Sequence, residues 1–345
     1  MATQTEEGSK QPLVSVVTPF YNTEAYLAEC IESVLAQTYA NWEYVLVNNL
    51  STDASRSICE RYARRDSRIR LLDNEQHVGQ VDNFEGALKQ ISPRSKYCKM
   101  VLADDWIFPE CLERMVEVAE SHPTVGIVSA YRLFGKEVLG DGLPYPSTVV
   151  PGREAARIII KCDGYYLTGS PTTILVRADL VRQFDRFYPG AWIHEDIESC
   201  LRILADHDLG FVHQVLSFSR TNEDSVLSSF HGINPGLLRR FLFARQYGPQ
   251  FLKTNEQQEH LQRVTEDYGS FLASSLFEFR DKKFWEFHRQ GLQSAGCSFA
   301  DVGLTKYALL ELLDLIFNPK KTVGRYFRLV KARRERSWET SHDKH

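Results

Sequence analysis

Apolar residues in the first 135 positions alternate between short β-branched runs and stretches of helical period. LVSVVTPF (13–20) reads as a buried strand, and WEYVLVN (42–48), RIRLLDN (68–74), KYCKMVLA (96–103) and VGIVSAYRLF (125–134) as four further strands. Between them, TEAYLAECIESVLAQT (23–38) carries Leu27, Ile31, Val34 and Leu35 at helical spacing, with Glu24 expected in its first turn. TDASRSICERYARR (52–65), VDNFEGALKQI (81–91) and PECLERMVEVAESH (109–122) read as three further helices. Strands separated by helices predict βαβ units and a mostly parallel sheet. Ligands of such open sheets bind beyond the carboxyl ends of the strands. That rule singles out Pro19–Asn22, Asn48–Asn49 and Asp104–Asp105.

The alternation breaks after residue 135, where LGDGLPYPSTVVPGR (139–153) reads as a Gly- and Pro-rich loop. A short helix at EAARIIIKC, a strand in SPTTILVRADLV (170–181), a helix at HEDIESCLRILADHD (194–208) and one long strand or a strand pair at LGFVHQVLSFSR (209–220) follow. From about 231 the pattern is helical throughout. The expected organisation is a disordered tail over 1–11, an α/β domain over 12–230 and a helical region over 231–345.

Net charge of −4 argues against a dedicated nucleic-acid binder, which would show a basic footprint. An anionic small ligand would then need local neutralisation. The seven cysteines are scattered without a CxxC pair, which favours free thiols in a reducing compartment. MATQTEEGSKQP lacks a signal-peptide core, and no stretch approaches a membrane span. The expectation is a cytoplasmic protein, with contact to the inner face of a membrane left open.

Asp104 and Asp105 follow an apolar strand directly. Adjacent carboxylates repel, and a strand end that keeps two of them can hold a hard divalent cation, Mg²⁺ or Mn²⁺. The alternative is a pair of turn residues capping the next helix. VNNLSTDAS (47–55) raises a similar question, because its two amides sit where a binding loop would carry acids.

SVVTPFYN (15–22), SVLAQTYANWEYVLVNN, STD (51–53), NEQHVGQVDNF (74–84), LADDW (102–106) and HED (194–196), in this order, resemble the family 2 glycosyltransferases and their GT-A fold. The resemblance covers residues 12 to 225. It implies transfer of a sugar from a nucleotide donor with inversion. Pro19, Phe20, Tyr21, Asn22 and Asn49 then fall on the positions that hold base and ribose, and Gly79 and Asn83, in the following turn and helix, are also assigned to the nucleotide. Gly79 is expected to permit a tight turn, and Tyr21 can stack on a base or simply pack. The family's DxD motif falls on Leu102-Ala103-Asp104, so Asp104 is the expected metal and diphosphate contact, with Asp105 beside it and the first acid replaced by Leu102. Asp196 maps onto the catalytic base; without the resemblance, Glu195 and Asp196 are acids favoured by a helix dipole. His194 and Glu195 are assigned to the acceptor side, and Arg220 to a phosphate or to the surface.

Two further departures matter. Asp82-Asn83 stands where the family often has Arg-Asn, which removes a phosphate partner. The two amides and Leu50 replace two acids and a glycine, leaving an amide oxygen to accept from a base N–H. The QxxRW motif of processive members is absent, so a single transfer is expected.

In KKTVGRYFRLVKARRER (320–336) lysine and arginine outnumber acids eight to one, consistent with a solvated terminal helix or with peripheral contact to anionic lipid. The reading is a metal-dependent glycosyltransferase using a nucleotide sugar, with UDP the expected nucleotide. Its expected acceptor is a glycan or a lipid-linked molecule in surface polysaccharide assembly, and a homodimer is conceivable. A nucleotidyltransferase or dehydrogenase would need a Gly-rich loop that is missing. The competing class is a non-catalytic nucleotide-sugar-binding or scaffold protein.

Overall fold

The computed structural model describes residues 11–140, 143–161, 167–189, 195–221, 233–278 and 280–318, together with 320, 322 and 323. The chain divides into two compact units, Met1–Ser229 and Phe230–His345.

The first unit opens with β1 (Val14–Phe20), α1 (Leu27–Leu35), β2 (Trp42–Asn48), α2 (Ser55–Ala63), β3 (Ile69–Asp73), α3 (Gln80–Leu88) and β4 (Tyr97–Met100). It continues with β5 (Trp106–Ile107), α4 (Cys111–Ser121), β6 (Val125–Phe134), β7 (Glu137–Leu139), β8 (Val149–Val150) and α5 (Gly152–Lys161). β9 (Leu175–Arg177), α6 (Ala178–Gln183), α7 (Glu195–Leu204) and β10 (Asp208–Ser219) complete it. The sheet runs β3-β2-β1-β4-β9-β6-β10-β5. β1 pairs in parallel with β2 and β4, β2 with β3, and β6 with β10. β9 separates β4 from β6 and is antiparallel to both.

Every residue of β1 is buried, as a strand covered on both faces requires. Pro19 is tolerated there because the β4 ladder has already ended at Val17↔Met100, so its missing N–H interrupts no bond on that side. α1 packs Leu27, Cys30, Ile31 and Val34 into the core. That helix begins three residues later than Glu24, which instead lies in the loop before it and accepts from Ala54 N at 2.6 Å. The long 209–220 segment is a single strand with register shifts against β6. Cys30, Cys59, Cys98, Cys111, Cys200 and Cys297 are free and buried; Cys162 lies outside the described residues.

The second unit is helical: α8 (Pro235–Gln246), α9 (Gly248–Phe251), α10 (Thr254–Leu276), α11 (Lys282–Ser294) and α12 (Leu304–Phe317). α10 packs against α8 and α12. Gly269 allows the close approach of α12, since a Cβ there would lie 2.3 Å from Val302 O and 2.5 Å from the Tyr307 ring. The basic 320–336 stretch lies almost entirely outside the described residues, as does the 1–10 tail. Among the described residues no helix is long and apolar enough to cross a membrane.

Candidate functional site

The parallel register aligns Phe20 with Asn48 and Asn48 with Asp73, so the first three strands end at one edge. Their following loops are knitted together by side chains. Asn22, at φ 49°, accepts from Thr52 N at 2.8 Å, and its own N–H donates to Ser51 Oγ at 3.1 Å. Thr23 N donates to Ser55 Oγ and Glu24 N to Asp53 Oδ2. The helix-start hydroxyls and acid of the 51–55 stretch therefore hold a neighbouring loop as well as their own helix. Of the predicted β1 residues, Pro19 and Phe20 are buried, whereas Tyr21 and Asn22 are exposed. Tyr21 lies against His77, ring centroids 4.5 Å apart, so an aromatic pair stands on the rim. His77 carried no signal in the sequence.

Asn48 and Asn49 are both buried, and each is used by the chain itself. Asn48 donates to Asp73 Oδ1 at 2.8 Å and accepts from Ser51 N at 2.9 Å. Asp73 is also held by Arg56, and that guanidinium keeps its carboxyl below the usual range. A carboxylate at 48 would face Asp73 with like charge, so the amide has a local reason. Asn49 Oδ1 accepts from Val78 N at 3.0 Å and from Asn74 Nδ2 at 3.0 Å, while its Nδ2 donates to Val78 O at 2.9 Å. Both lone pairs are thus filled, which corrects the expectation that this oxygen is free to accept from a base. Asn74 donates in turn to Asn83 Oδ1 at 2.9 Å, so Asn83 is buried in the same network.

Gly79 needs a different account from the expected one. Its φ of −61° is open to any residue, and a Cβ would meet only Asp82 Oδ2 at 3.8 Å. The turn therefore does not demand glycine. Asp82, expected to remove a cation, instead recruits one: Arg186 Nη1 lies 2.9 Å from its carboxylate. Glu85, on the buried face of α3, accepts from the backbone N–H groups of Phe187 and Tyr188 and ties that segment to the helix.

The two acids after β4 point to different environments. Asp105 is buried, accepting from Thr172 Oγ1 at 2.6 Å, Ser219 Oγ at 3.3 Å and Arg220 N at 3.2 Å. Burial, with the neighbouring Asp104 charge second, pushes its carboxyl up to about 7. Thr172 also accepts from Leu102 N at 3.0 Å, and its carbonyl accepts from the fully buried Lys99 at 2.6 Å. Burial drives the Lys99 pKa down. Asp105 is therefore a joint between β4, the 171–173 turn and the end of β10, rather than a carboxylate offered outward. Asp104 is half-buried, and its carbonyl accepts from Arg220 Nε at 3.2 Å. Arg220 also reaches Glu29 and lies over Tyr26, 4.5 Å from the ring centroid. It is thus fixed beside the acids rather than loose on the surface. The sequence offered no sign of the Thr172, Ser219 or Glu29 partners, because each comes from a distant segment.

Glu195 and Asp196 begin α7, both half-buried. Burial raises the Glu195 carboxyl. Asp196 Oδ1 accepts from Ile197 N at 2.9 Å, and its charge adds to the upward shift of Tyr188 and Cys200. His194 lies outside the described residues.

Among the described residues no three His, Cys, Asp or Glu side chains cluster as a metal cage. The donor set still suits Mg²⁺ or Mn²⁺, which one carboxylate can hold when phosphate and water complete the shell.

Residues 15–183 match the model of glycosyl transferase family 2. EpsE of Bacillus subtilis strain 168, named as a glycosyltransferase, is 30% identical over 222 residues, covering 62% of this chain and 74% of EpsE. EpsH of the same organism is 39% identical over 111 residues, but the chain spans only 30% of its length. Staphylococcus aureus TarS 1-349, solved in complex with UDP-GlcNAc, superposes with a TM-score of 0.60 at 19% identity over 93% of this chain and 91% of TarS 1-349. The mannosyltransferase PcManGT of Pyrobaculum calidifontis, solved with GDP-Man and Mn²⁺, gives 0.55 at 14% identity over 90% of this chain and 88% of PcManGT. The sheet and its flanking helices are thus a GT-A fold, and the chain belongs to glycosyltransferase family 2.

Proposed function

We propose that the chain moves one sugar from a nucleoside-diphosphate donor, a UDP-sugar, to a hydroxyl of a glycan or lipid-linked acceptor, inverting the anomeric centre. The observation that carries this reading is the shared edge. Tyr21, Asn22 and His77 rim the ends of β1 to β3, and Asp104 follows β4 beside Arg220. Tyr21 and Asn22 hold base and ribose, on a loop that Asn49 and Asn83 shape from beneath. Asp104 and Arg220 face the diphosphate. Asp196 takes the proton of the acceptor hydroxyl as its oxygen bonds to the anomeric carbon, and the nucleoside diphosphate leaves from the opposite face. Glu195 and His194 serve the acceptor. A divalent cation would be held by Asp104 and would supply charge stabilisation to the leaving diphosphate. TarS bound to UDP-GlcNAc and PcManGT bound to GDP-Man with Mn²⁺ support this donor class and cation. TuaG of Bacillus subtilis, named for teichuronic acid biosynthesis and 31% identical over 134 residues, supports a role in cell-surface polysaccharide assembly.

The filled Asn49 oxygen and the inward Asp105 favour a second reading, a nucleotide-sugar-binding protein without turnover. The deciding assay incubates the chain with UDP-, dTDP- and GDP-sugars and Mn²⁺ and measures nucleoside diphosphate release. We expect release with one donor, reduced by about 10²-fold or more in Asp196→Asn and in Asp104→Ala. Release unchanged in both variants would overturn the site. Thermal stabilisation by the nucleoside diphosphate without turnover would select the binding protein.

A further inference from the structure

α12 is apolar on nearly every side, LTKYALLELLDLIF, yet none of its residues is buried. Leu309, Leu310, Leu312, Leu313, Ile316 and Phe317 are between 42% and 81% exposed. At about 100° per residue these six occupy one continuous arc of roughly 160°, wider than a core-facing stripe needs. The opposite face carries Tyr307, which packs at Gly269, together with the half-buried Glu311, Asp314 and Leu315. Both acids of the helix therefore lie on the inner side. The charges beside the exposed arc are cations: Lys306 near its start and Lys320 just past its end. From 320 to 336 the sequence adds lysine and arginine over acid at eight to one.

We infer that this face of α12 is a docking surface for an anionic lipid bilayer, lying in the headgroup region parallel to the membrane. The length supports lying rather than spanning, because 14 residues at about 1.5 Å each reach roughly 21 Å against an apolar thickness of about 30 Å. Apolar side chains enter the acyl boundary while the flanking cations meet lipid phosphates. A second copy of the chain suits the face less well. A two-fold contact through α12 would offer Lys306 and Lys320 of each copy no acid from the facing helix, since Glu311 and Asp314 lie on its inner side. The inference stands on the second unit alone and is independent of the proposed catalytic reading.

The test is flotation of the full chain with vesicles of phosphatidylcholine alone and with about 30% phosphatidylglycerol added, at low salt. We expect binding to the anionic vesicles, and a partition coefficient at least about tenfold lower for Leu309→Gln/Leu313→Gln/Phe317→Gln. The single variant Phe317→Gln, at the most exposed position, weakens binding in the same direction and guards against a folding defect in the triple variant. Anionic-vesicle binding that both variants retain in full would overturn the inference and assign attachment to the basic residues alone. No vesicle binding, with concentration-dependent self-association that the triple variant abolishes, would overturn it in favour of a second copy.

Discussion

Asn49 and Val78 exchange two hydrogen bonds, the Asn49 amide accepting from Val78 N at 3.0 Å and donating to Val78 O at 2.9 Å. Only an amide matches a backbone N–H and C=O at once, because a carboxylate has no proton to give. The pair therefore gives the amide at position 49 a local structural role. It also leads to a measurable consequence.

Asn49→Asp leaves the half-buried Val78 O without its donor. We expect a loss of about 1–3 kcal/mol, read as a lower urea midpoint at unchanged slope. An unaltered midpoint would show that the amide is dispensable to the loop.

Leu50 holds φ at 59°, a region that costs a residue with a Cβ about 1–2 kcal/mol. Its side chain is exposed, so little burial is lost on removal. Leu50→Gly should stabilise the chain by about 0.5–1 kcal/mol after the extra chain entropy of glycine is allowed for. A lower melting temperature would refute the strain.

Thr172 links Leu102 N to the Asp105 carboxylate. Thr172→Val leaves Leu102 N without its acceptor and removes one of the three donors to Asp105, and should cost about 1–3 kcal/mol, whereas Thr172→Ser keeps the hydroxyl and most of the stability. Denaturant titration of the two variants compares them. Equal losses would mean that the methyl group matters and the hydroxyl does not.

Arg186 stands beside the Asp82 carboxylate at the start of α3. The pair is exposed, so Arg186→Gln should change stability by less than about 1 kcal/mol. If this guanidinium faces the donor's phosphates, the same variant raises the donor KM several-fold with kcat little changed. A KM equal to that of the parent chain would remove Arg186 from the site.

His288 is fully buried between Tyr268 Oη and Ile233 O, each 2.9 Å from a ring nitrogen. Burial pushes its pKa from 6.5 down to about 4. The unfolded chain then binds the proton more readily, so this contribution is full above about 6.5 and is lost as pH falls toward 4. The helical unit should be about 2 kcal/mol less stable near pH 5 than near pH 7 from this group alone. His288→Gln should flatten that slope, and a slope identical in both chains would assign the pH dependence elsewhere.

Much of the fold was legible because it rests on local pattern. β1, β2, β3, β4 and β6 show as apolar runs, and the helices of the second unit show by period. β7 and β8, three and two residues long, were not, since so short a run has no period to read. The insertion of antiparallel β9 between β4 and β6 was equally hidden, because strand order depends on packing between segments as distant as Tyr97 and Arg177. In the candidate site, the strand ends were visible from the sheet rule and the motifs. The direction in which each polar group points was not.

The sequence by itself determined the alternation of strands and helices, the family resemblance, and the residue types gathered at the strand ends. These follow from periodicity and from chemistry written within a few positions of each motif. Only the tertiary structure decided that Asn49 closes a loop, that Asp105 is consumed by Thr172, Ser219 and Arg220, and that Asp82 draws in Arg186. A polar side chain acts on whatever lies within hydrogen-bond distance, and here those partners come from distant parts of the chain.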